Sequence, residues 1–239
     1  MQSPLPRWIA HRGGGSLAPE NTLAGIRLAA RMGFRAVEFD VMLSADGTPV
    51  LIHDETLERT TDGRGRVCDT GDRELFALDA GNGERIPRFV DAALLCLELG
   101  LAANVEIKPA AGHELATAGV VARLAADLWR QAPAQVLLSS FVPEAIVLAR
   151  DLAPRLRRSV LFEIVPADWH DFYVEVQASA LHCDAALVDD GVLQEAAACA
   201  VPVIGYTVNA PEQASTLRQR GMAGFFTDRL DLFVGEAGA

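Results

Sequence analysis

One pattern limits the fold of this chain more than any other. Short apolar runs recur eight times, beginning at Trp8, Ala36, Ala103, Val136, Arg158, Ala180, Pro202 and Gly224, and each is followed by a segment suited to a helix. After the first run, Leu23, Ile26 and Ala30 fall at helical spacing, so a helix is expected from about Asn21 to Met32, entered after Pro19 and ended by Gly33. Alternating strand and helix units imply a parallel sheet. Eight of them in 239 residues imply a closed (β/α)8 TIM barrel, a fold of about 250 residues. A doubly wound open sheet is the alternative. No internal repeat, low-complexity tract or linker interrupts the pattern, so residues 1–239 are expected to form a single domain.

The segment from Glu55 to Gly83 breaks the alternation. It is rich in Thr, Asp, Gly and Arg and shows little periodicity. It is expected to be a small insertion after the second strand, a long loop over one end of the domain. Loops of that length are usually functional or disordered. Just before it, Asp46-Gly47 signals a tight turn, so 36–43 and 50–53 are expected to continue as a hairpin.

Half the residues are hydrophobic, enough for a sizeable core. The 32 acidic residues outnumber the 21 Lys and Arg, giving a formal charge of −11. Such a field argues against binding nucleic acid or an anionic membrane surface. An anionic substrate would need locally concentrated positive charge. Cys68, Cys96, Cys183 and Cys199 show no metal-binding spacing and are expected to be reduced and mostly buried, as in a cytoplasmic protein. The opening MQSPLPRWIA has no apolar signal region, and no apolar run reaches the roughly 20 residues that span a bilayer. No stable membrane association is expected, and the oligomeric state is left open.

The chemistry concentrates where the strands end. His11 and Arg12 close the first run; Glu38 and Asp40 lie late in the second; His53 follows soon after; Glu106 and Lys108 end the third. Active sites of barrels lie at the C-terminal ends of the strands. Glu38 and Asp40, two apart on a strand, point to one face, the interior in a barrel. Like charges there repel and are costly to desolvate, and a divalent cation removes the conflict. With Glu106 the donor set is all oxygen, which favours Mg²⁺ or Ca²⁺. Together with a cation, Arg12 and Lys108 make a small positive spot suited to a phosphodiester. His11 and His53 can exchange protons near neutral pH. His113, His170 and His182 lack such company and are assigned no role. Gly13-Gly14-Gly15 fits no phosphate- or dinucleotide-binding fingerprint; it could admit a phosphate or simply be a turn. A metal-dependent barrel aldolase or lyase is a second reading of the same residues.

His11-Arg12-Gly13, Pro19-Glu20-Asn21-Thr22, Glu38-Phe39-Asp40, His53-Asp54, Leu57-Glu58-Arg59-Thr60-Thr61, Glu106-Ile107-Lys108, Ser139-Ser140-Phe141, Tyr206-Thr207-Val208-Asn209 and Thr227-Asp228 together resemble the glycerophosphodiester phosphodiesterase family, especially its small cytosolic bacterial members. The similarity runs from about Arg7 to Asp231. It implies a TIM barrel with an insertion after strand two, and hydrolysis of glycerophosphocholine, glycerophosphoethanolamine and similar diesters to sn-glycerol 3-phosphate and an alcohol. By the same resemblance Glu38, Asp40 and Glu106 bind one divalent cation. His11 and His53 are acid and base, and Arg12 and Lys108 hold phosphate. The substrate's own 2-hydroxyl would attack phosphorus, giving a cyclic phosphate that water opens. Phe141 and Tyr206 would wall the glycerol or leaving group; many relatives carry Trp in place of Tyr206. A lysophospholipase D-like activity is the nearest alternative within this chemistry.

Overall fold

A computed structural model describes residues 3–236. In chain order the elements are β1 (Trp8–Ala10), α1 (Leu23–Arg31), β2 (Ala36–Leu43), β3 (Pro49–Leu51), α2 (Asp72–Leu75), α3 (Phe89–Leu99), β4 (Ala102–Ile107), α4 (Glu114–Leu128), β5 (Val136–Ser139), α5 (Pro143–Leu152), β6 (Arg157–Phe162), α6 (Trp169–Glu175), β7 (Ala180–Asp184), α7 (Asp190–Ala198), β8 (Val203–Tyr206), α8 (Pro211–Gln219), β9 (Gly224–Thr227) and α9 (Leu230–Phe233).

β1 pairs in parallel with β9 at Trp8 and Phe225, and with β2 at Ala10 and Val37. Those pairings close the ring of β1, β2 and β4 to β9, so the sheet is a (β/α)8 TIM barrel and not an open one. β3 lies outside the ring, antiparallel to β2, with Val41 opposite Leu51. The hairpin expected from Asp46-Gly47 is therefore present.

Strand alternation divides β2 as read from the sequence. Val37, Phe39 and Val41 face outward into the main core, where α3 supplies Phe89, Ala92 and Cys96. The Phe39 and Phe89 rings lie 6.2 Å apart. Glu38 and Asp40 face inward. The far end of the barrel is filled by Ile9, Ala36, Leu137, Ala180, Ile204 and Phe226. This apolar plug leaves the polar side chains gathered at the opposite, C-terminal end.

The insertion is more than a loop. Leu57, Val67, Cys68, Leu75, Ala80 and Ile86 join Met42, Val50, Ile52 and Ala110 in a small apolar core of their own. Its regular pieces are a 3-10 turn at Val67–Asp69 and the four-residue α2. Elements of one turn are too short to show a period, which is why the sequence reads as irregular. Asp72 fastens the insertion to the β2–β3 turn: Ser44 Oγ and Thr48 Oγ1 donate to its carboxylate at 2.7 and 2.6 Å.

Cys68, Cys96 and Cys183 are buried, Cys199 is exposed, and none is paired. Among the described residues no helix is long and apolar enough to cross a membrane.

Candidate active site

Asp40 of β2 lies in register with Glu106 of β4. Glu38, Asp40 and Glu106 each bring an oxygen within 4.8 Å of the others. All three are buried. Burial first, then the charges of Asp40 and Glu106, push the Glu38 carboxyl well above its ordinary range. Burial and the Asp40 charge push Glu106 up to about 7. Burial would raise Asp40 too, but Lys108, His53 and Arg12 outweigh it and hold Asp40 low. The cluster thus carries more carboxylate than its protein surroundings neutralise. Glu38 Oε1 is buried and has no hydrogen-bond partner among the described residues. An orphaned carboxylate oxygen beside two more fits a hard divalent cation.

The loop after β1 aims this cluster. Arg12 has φ +50° and Asn21 φ +56°, both left-handed, a conformation that costs about 1–2 kcal/mol for a residue such as arginine and that asparagine adopts more readily. The turn this produces lets Arg12 N–H donate to Glu38 Oε2 at 2.8 Å. It also sets Asn21 against Asp40: Nδ2 donates to Oδ2 at 2.9 Å, and the Asp40 N–H donates to Asn21 Oδ1 at 3.1 Å. The helix therefore starts later than the sequence suggests. Thr22 caps α1, accepting from Gly25 N–H through Oγ1, while Asn21 serves the site.

The glycine run is structural. A Cβ on Gly14 would lie 2.6 Å from Ala18 Cβ and 2.9 Å from Gly25 Cα, and one on Gly15 would strike the Asp228 carbonyl. The run lets the first loop press against α1 and the loop after β9. Of the two readings left open by the sequence, this packing supports the turn.

Each of the two histidines has a carboxylate behind it. His11 Nδ1 lies 2.7 Å from Asp228 Oδ1. Burial would raise Asp228, but the hydrogen bond from His11 and other neighbours overcome it, so Asp228 stays an anion and can only accept. His11 Nδ1 therefore carries its proton, and Nε2 faces Glu38 Oε2 at 3.8 Å. His53 Nδ1 lies 2.6 Å from Asp54 Oδ1. On its other side Lys108 Nζ approaches Nε2 to 2.7 Å. An ammonium only donates, so His53 Nε2 is unprotonated. Burial, its largest influence, lowers the His53 pKa and agrees with a neutral ring.

Lys108 also lies 3.2 Å from Glu106 Oε1 and 3.4 Å from Asp40 Oδ1. Burial opposes its charge, but those carboxylates prevail and keep it cationic. Arg12 Nη1 donates to Glu20 Oε1 at 3.1 Å, and Arg12 Nε lies 3.8 Å from Asp40 Oδ2.

His11, Arg12, Glu38, Asp40, His53, Glu106 and Lys108 line one cavity of about 140 Å³, with Phe141 and Tyr206 on its wall and His182, Asn104 and Ser139 on its lining as well. Phe141 and Tyr206 meet edge to face at 5.8 Å. Phe141 is 44% exposed, so it is a wall residue and not a core aromatic. The Tyr206 hydroxyl donates to the Phe162 carbonyl at 3.0 Å.

Residues 11–232 match the model of the glycerophosphoryl diester phosphodiesterase family. This chain belongs to that family. A phosphodiesterase from Oleispira antarctica, solved in complex with the product sn-glycerol-3-phosphate, is 33% identical, superposes with a TM-score of 0.89 and shares 99% of both chains. A glycerophosphodiester phosphodiesterase from Caldanaerobacter subterraneus subsp. tengcongensis is 31% identical across 92% of this chain and 93% of its own. Mouse glycerophosphodiester phosphodiesterase 1 is 39% identical over 155 residues, but the match spans only 44% of that protein. The relatives named here are phosphodiesterases, not aldolases or lyases.

Within this family member the barrel brings together every site residue read from the sequence: His11, Arg12, Glu38, Asp40, His53, Glu106, Lys108, Phe141 and Tyr206 all line the cavity. Sequence reasoning passed over the roles of Asp54 and Asp228. Their signals were present but weak: Asp54 follows His53 directly, and Asp228 follows the last strand as His11 follows the first. Asn209 was also missed; its side chain receives the Asp228 N–H at 2.8 Å and donates to Asp228 Oδ2 at 3.0 Å. His182, assigned no role, sits in the cavity lining, 3.1 Å from Ser159 Oγ through Nδ1. A lone histidine inside a strand gives no sign of which cavity it will face.

Proposed function

We propose that this protein hydrolyses glycerophosphodiesters, such as glycerophosphocholine and glycerophosphoethanolamine, to sn-glycerol 3-phosphate and an alcohol. The observation that carries the reading is the convergence, in one small cavity, of a three-carboxylate cluster, two carboxylate-backed histidines and two cations. Membership of the family and the overlay on a phosphodiesterase holding sn-glycerol-3-phosphate support it.

Glu38, Asp40 and Glu106 would hold one divalent cation, Mg²⁺ or Ca²⁺, which would supply positive charge to the phosphate oxygens as negative charge grows on them. Arg12 and Lys108 would fix the phosphate beside it. Lys108 now shields His53 Nε2, so turning its ammonium onto phosphate would free that lone pair to take a proton. His11, held in its Nδ1–H form by Asp228, presents Nε2 to the same cavity. One ring would remove the proton of the attacking 2-hydroxyl while the other protonates the departing alcohol. The roles then exchange as water opens the cyclic phosphate. Phe141 and Tyr206 would pack on the glycerol or leaving group. A cytoplasmic location is part of the reading, supported by four unpaired cysteines.

The test is release of glycerol 3-phosphate from glycerophosphocholine. Turnover is expected, with near-complete loss after thorough chelation and recovery on adding Mg²⁺ or Ca²⁺. Full activity after chelation would remove the cation, and no turnover of any glycerophosphodiester would remove the function.

A further inference from the structure

We propose that Arg59, in the insertion, is a positioning residue that sets His53 and Arg12 together by clamping Asp54 and Glu20. The proposal rests on His53 and Arg12 acting as described above, and adds how they are held.

The Arg59 guanidinium engages a carboxylate on each of two edges. Nε and Nη2 lie 2.5 and 2.9 Å from Asp54 Oδ2 and Oδ1. Nη1 and Nη2 lie 2.7 and 2.9 Å from Glu20 Oε2 and Oε1. All three nitrogens are used, and each carboxylate passes the constraint inward. Asp54 Oδ1 also meets His53 Nδ1, and Glu20 Oε1 also accepts from Arg12 Nη1. One side chain thus joins the histidine from the β3 side to the arginine from the β1 side.

The clamp has a rigid base. Leu57 is fully buried in the insertion core, and Thr61 returns to its carbonyl through both N–H and Oγ1, at 3.0 and 2.7 Å. Arg59 stands on the turn between them. The hydrogen bonds from Arg59, the largest influence, hold the Asp54 carboxyl far below its ordinary range, so Asp54 remains an anion able to orient His53.

Stability does not explain the arrangement. Arg59 is 46% exposed, and exposed ion pairs are worth about 0.2–1 kcal/mol each. A planar fork that fixes two acceptors is better suited to geometry than to strength. The insertion is then part of the active site: its apolar core anchors the residue that aligns it.

The experiment compares Arg59→Ala and Arg59→Lys with Arg66→Ala, the latter an insertion arginine paired with Glu55 outside the cavity. With glycerophosphocholine, Arg59→Ala should lose about tenfold or more in kcat, short of the roughly 10²–10⁴-fold ascribed to an acid–base group itself. Millimolar guanidinium should restore part of the loss. Arg59→Lys should recover little, because one ammonium nitrogen cannot reproduce a planar fork that meets each carboxylate with two nitrogens, and Arg66→Ala should match the parent. Proton NMR gives a reading that needs no turnover: the low-field His53 Nδ1 proton should vanish in Arg59→Ala and return with guanidinium. Parental kcat in Arg59→Ala, or a loss that guanidinium does not relieve with the His53 proton unchanged, would overturn the proposal. A parent without diesterase activity would defeat the proposed function; the NMR comparison would still decide the clamp.

Discussion

The two histidines of the site share a chemical arrangement but reach it by different routes. His53 takes its carboxylate from the next residue, Asp54, at 2.6 Å. His11 takes its own from Asp228, 217 residues away, at 2.7 Å. The first pair needs only a local turn. The second exists because β1 closes on β9. They also differ at the far nitrogen: His53 Nε2 is covered by Lys108, whereas His11 Nε2 faces Glu38 at 3.8 Å. The lesson is that equivalent chemistry can depend on very different amounts of the fold. The His53 tautomer is fixed from both sides, while the His11 tautomer depends on one remote aspartate.

Removing either ring is the strongest challenge to this comparison. His11→Ala and His53→Ala should each cost about 10²–10⁴-fold in kcat on glycerophosphocholine. Near-parental turnover in one variant would leave a single acid–base group and end the pairing. The asymmetry is tested next with Asp228→Asn and Asp54→Asn. Loss of an orienting carboxylate typically costs about 10–100-fold in activity, and in the substrate-free protein Asp228→Asn should lose the Nδ1–H tautomer of His11, whereas Asp54→Asn should keep that of His53 because Lys108 still covers its Nε2. Loss of the His53 tautomer in Asp54→Asn with the His11 tautomer intact in Asp228→Asn, read by nitrogen NMR of the imidazoles without substrate, would break the argument.

The smallest effect is expected at the third cavity histidine, and on stability. Burial pushes His182 from 6.5 down to about 3, so it stays neutral where an unfolded chain would protonate it. Between those values the unfolded state binds more protons, and linkage makes stability fall as pH drops from about 6.5 toward 3. His182→Asn removes that titration. Urea unfolding of parent and variant at pH 7 and pH 4 should show the smaller acid loss in the variant; parallel losses would count against a buried neutral His182.

Much of the architecture is legible in the sequence. The recurring strand and helix periods reveal eight units, and the i, i+2 spacing of Glu38 with Asp40 and of Glu106 with Lys108 puts each pair on one face. The hidden parts have identifiable causes. The insertion folds around Leu57, Val67 and Leu75 without a repeating period, because its elements last a single turn. Asn21 looks like a helix start but turns to Asp40, because Thr22 is the cap. Phe141 and Tyr206 read equally well as core residues in the sequence; only the fold puts them on the cavity shared with the carboxylates and histidines.

By itself the sequence determined the repeating strand and helix units, the barrel class and the identity of the chemical groups, because hydrophobic period and side-chain spacing are local properties of a chain. Only the tertiary structure decided which groups meet. The contact of His11 with Asp228, the approach of Lys108 to His53 and the fork of Arg59 between Asp54 and Glu20 each join separate segments. Hydrogen bonds act over about 3 Å, and ring closure with the packing of the insertion sets distances on that scale.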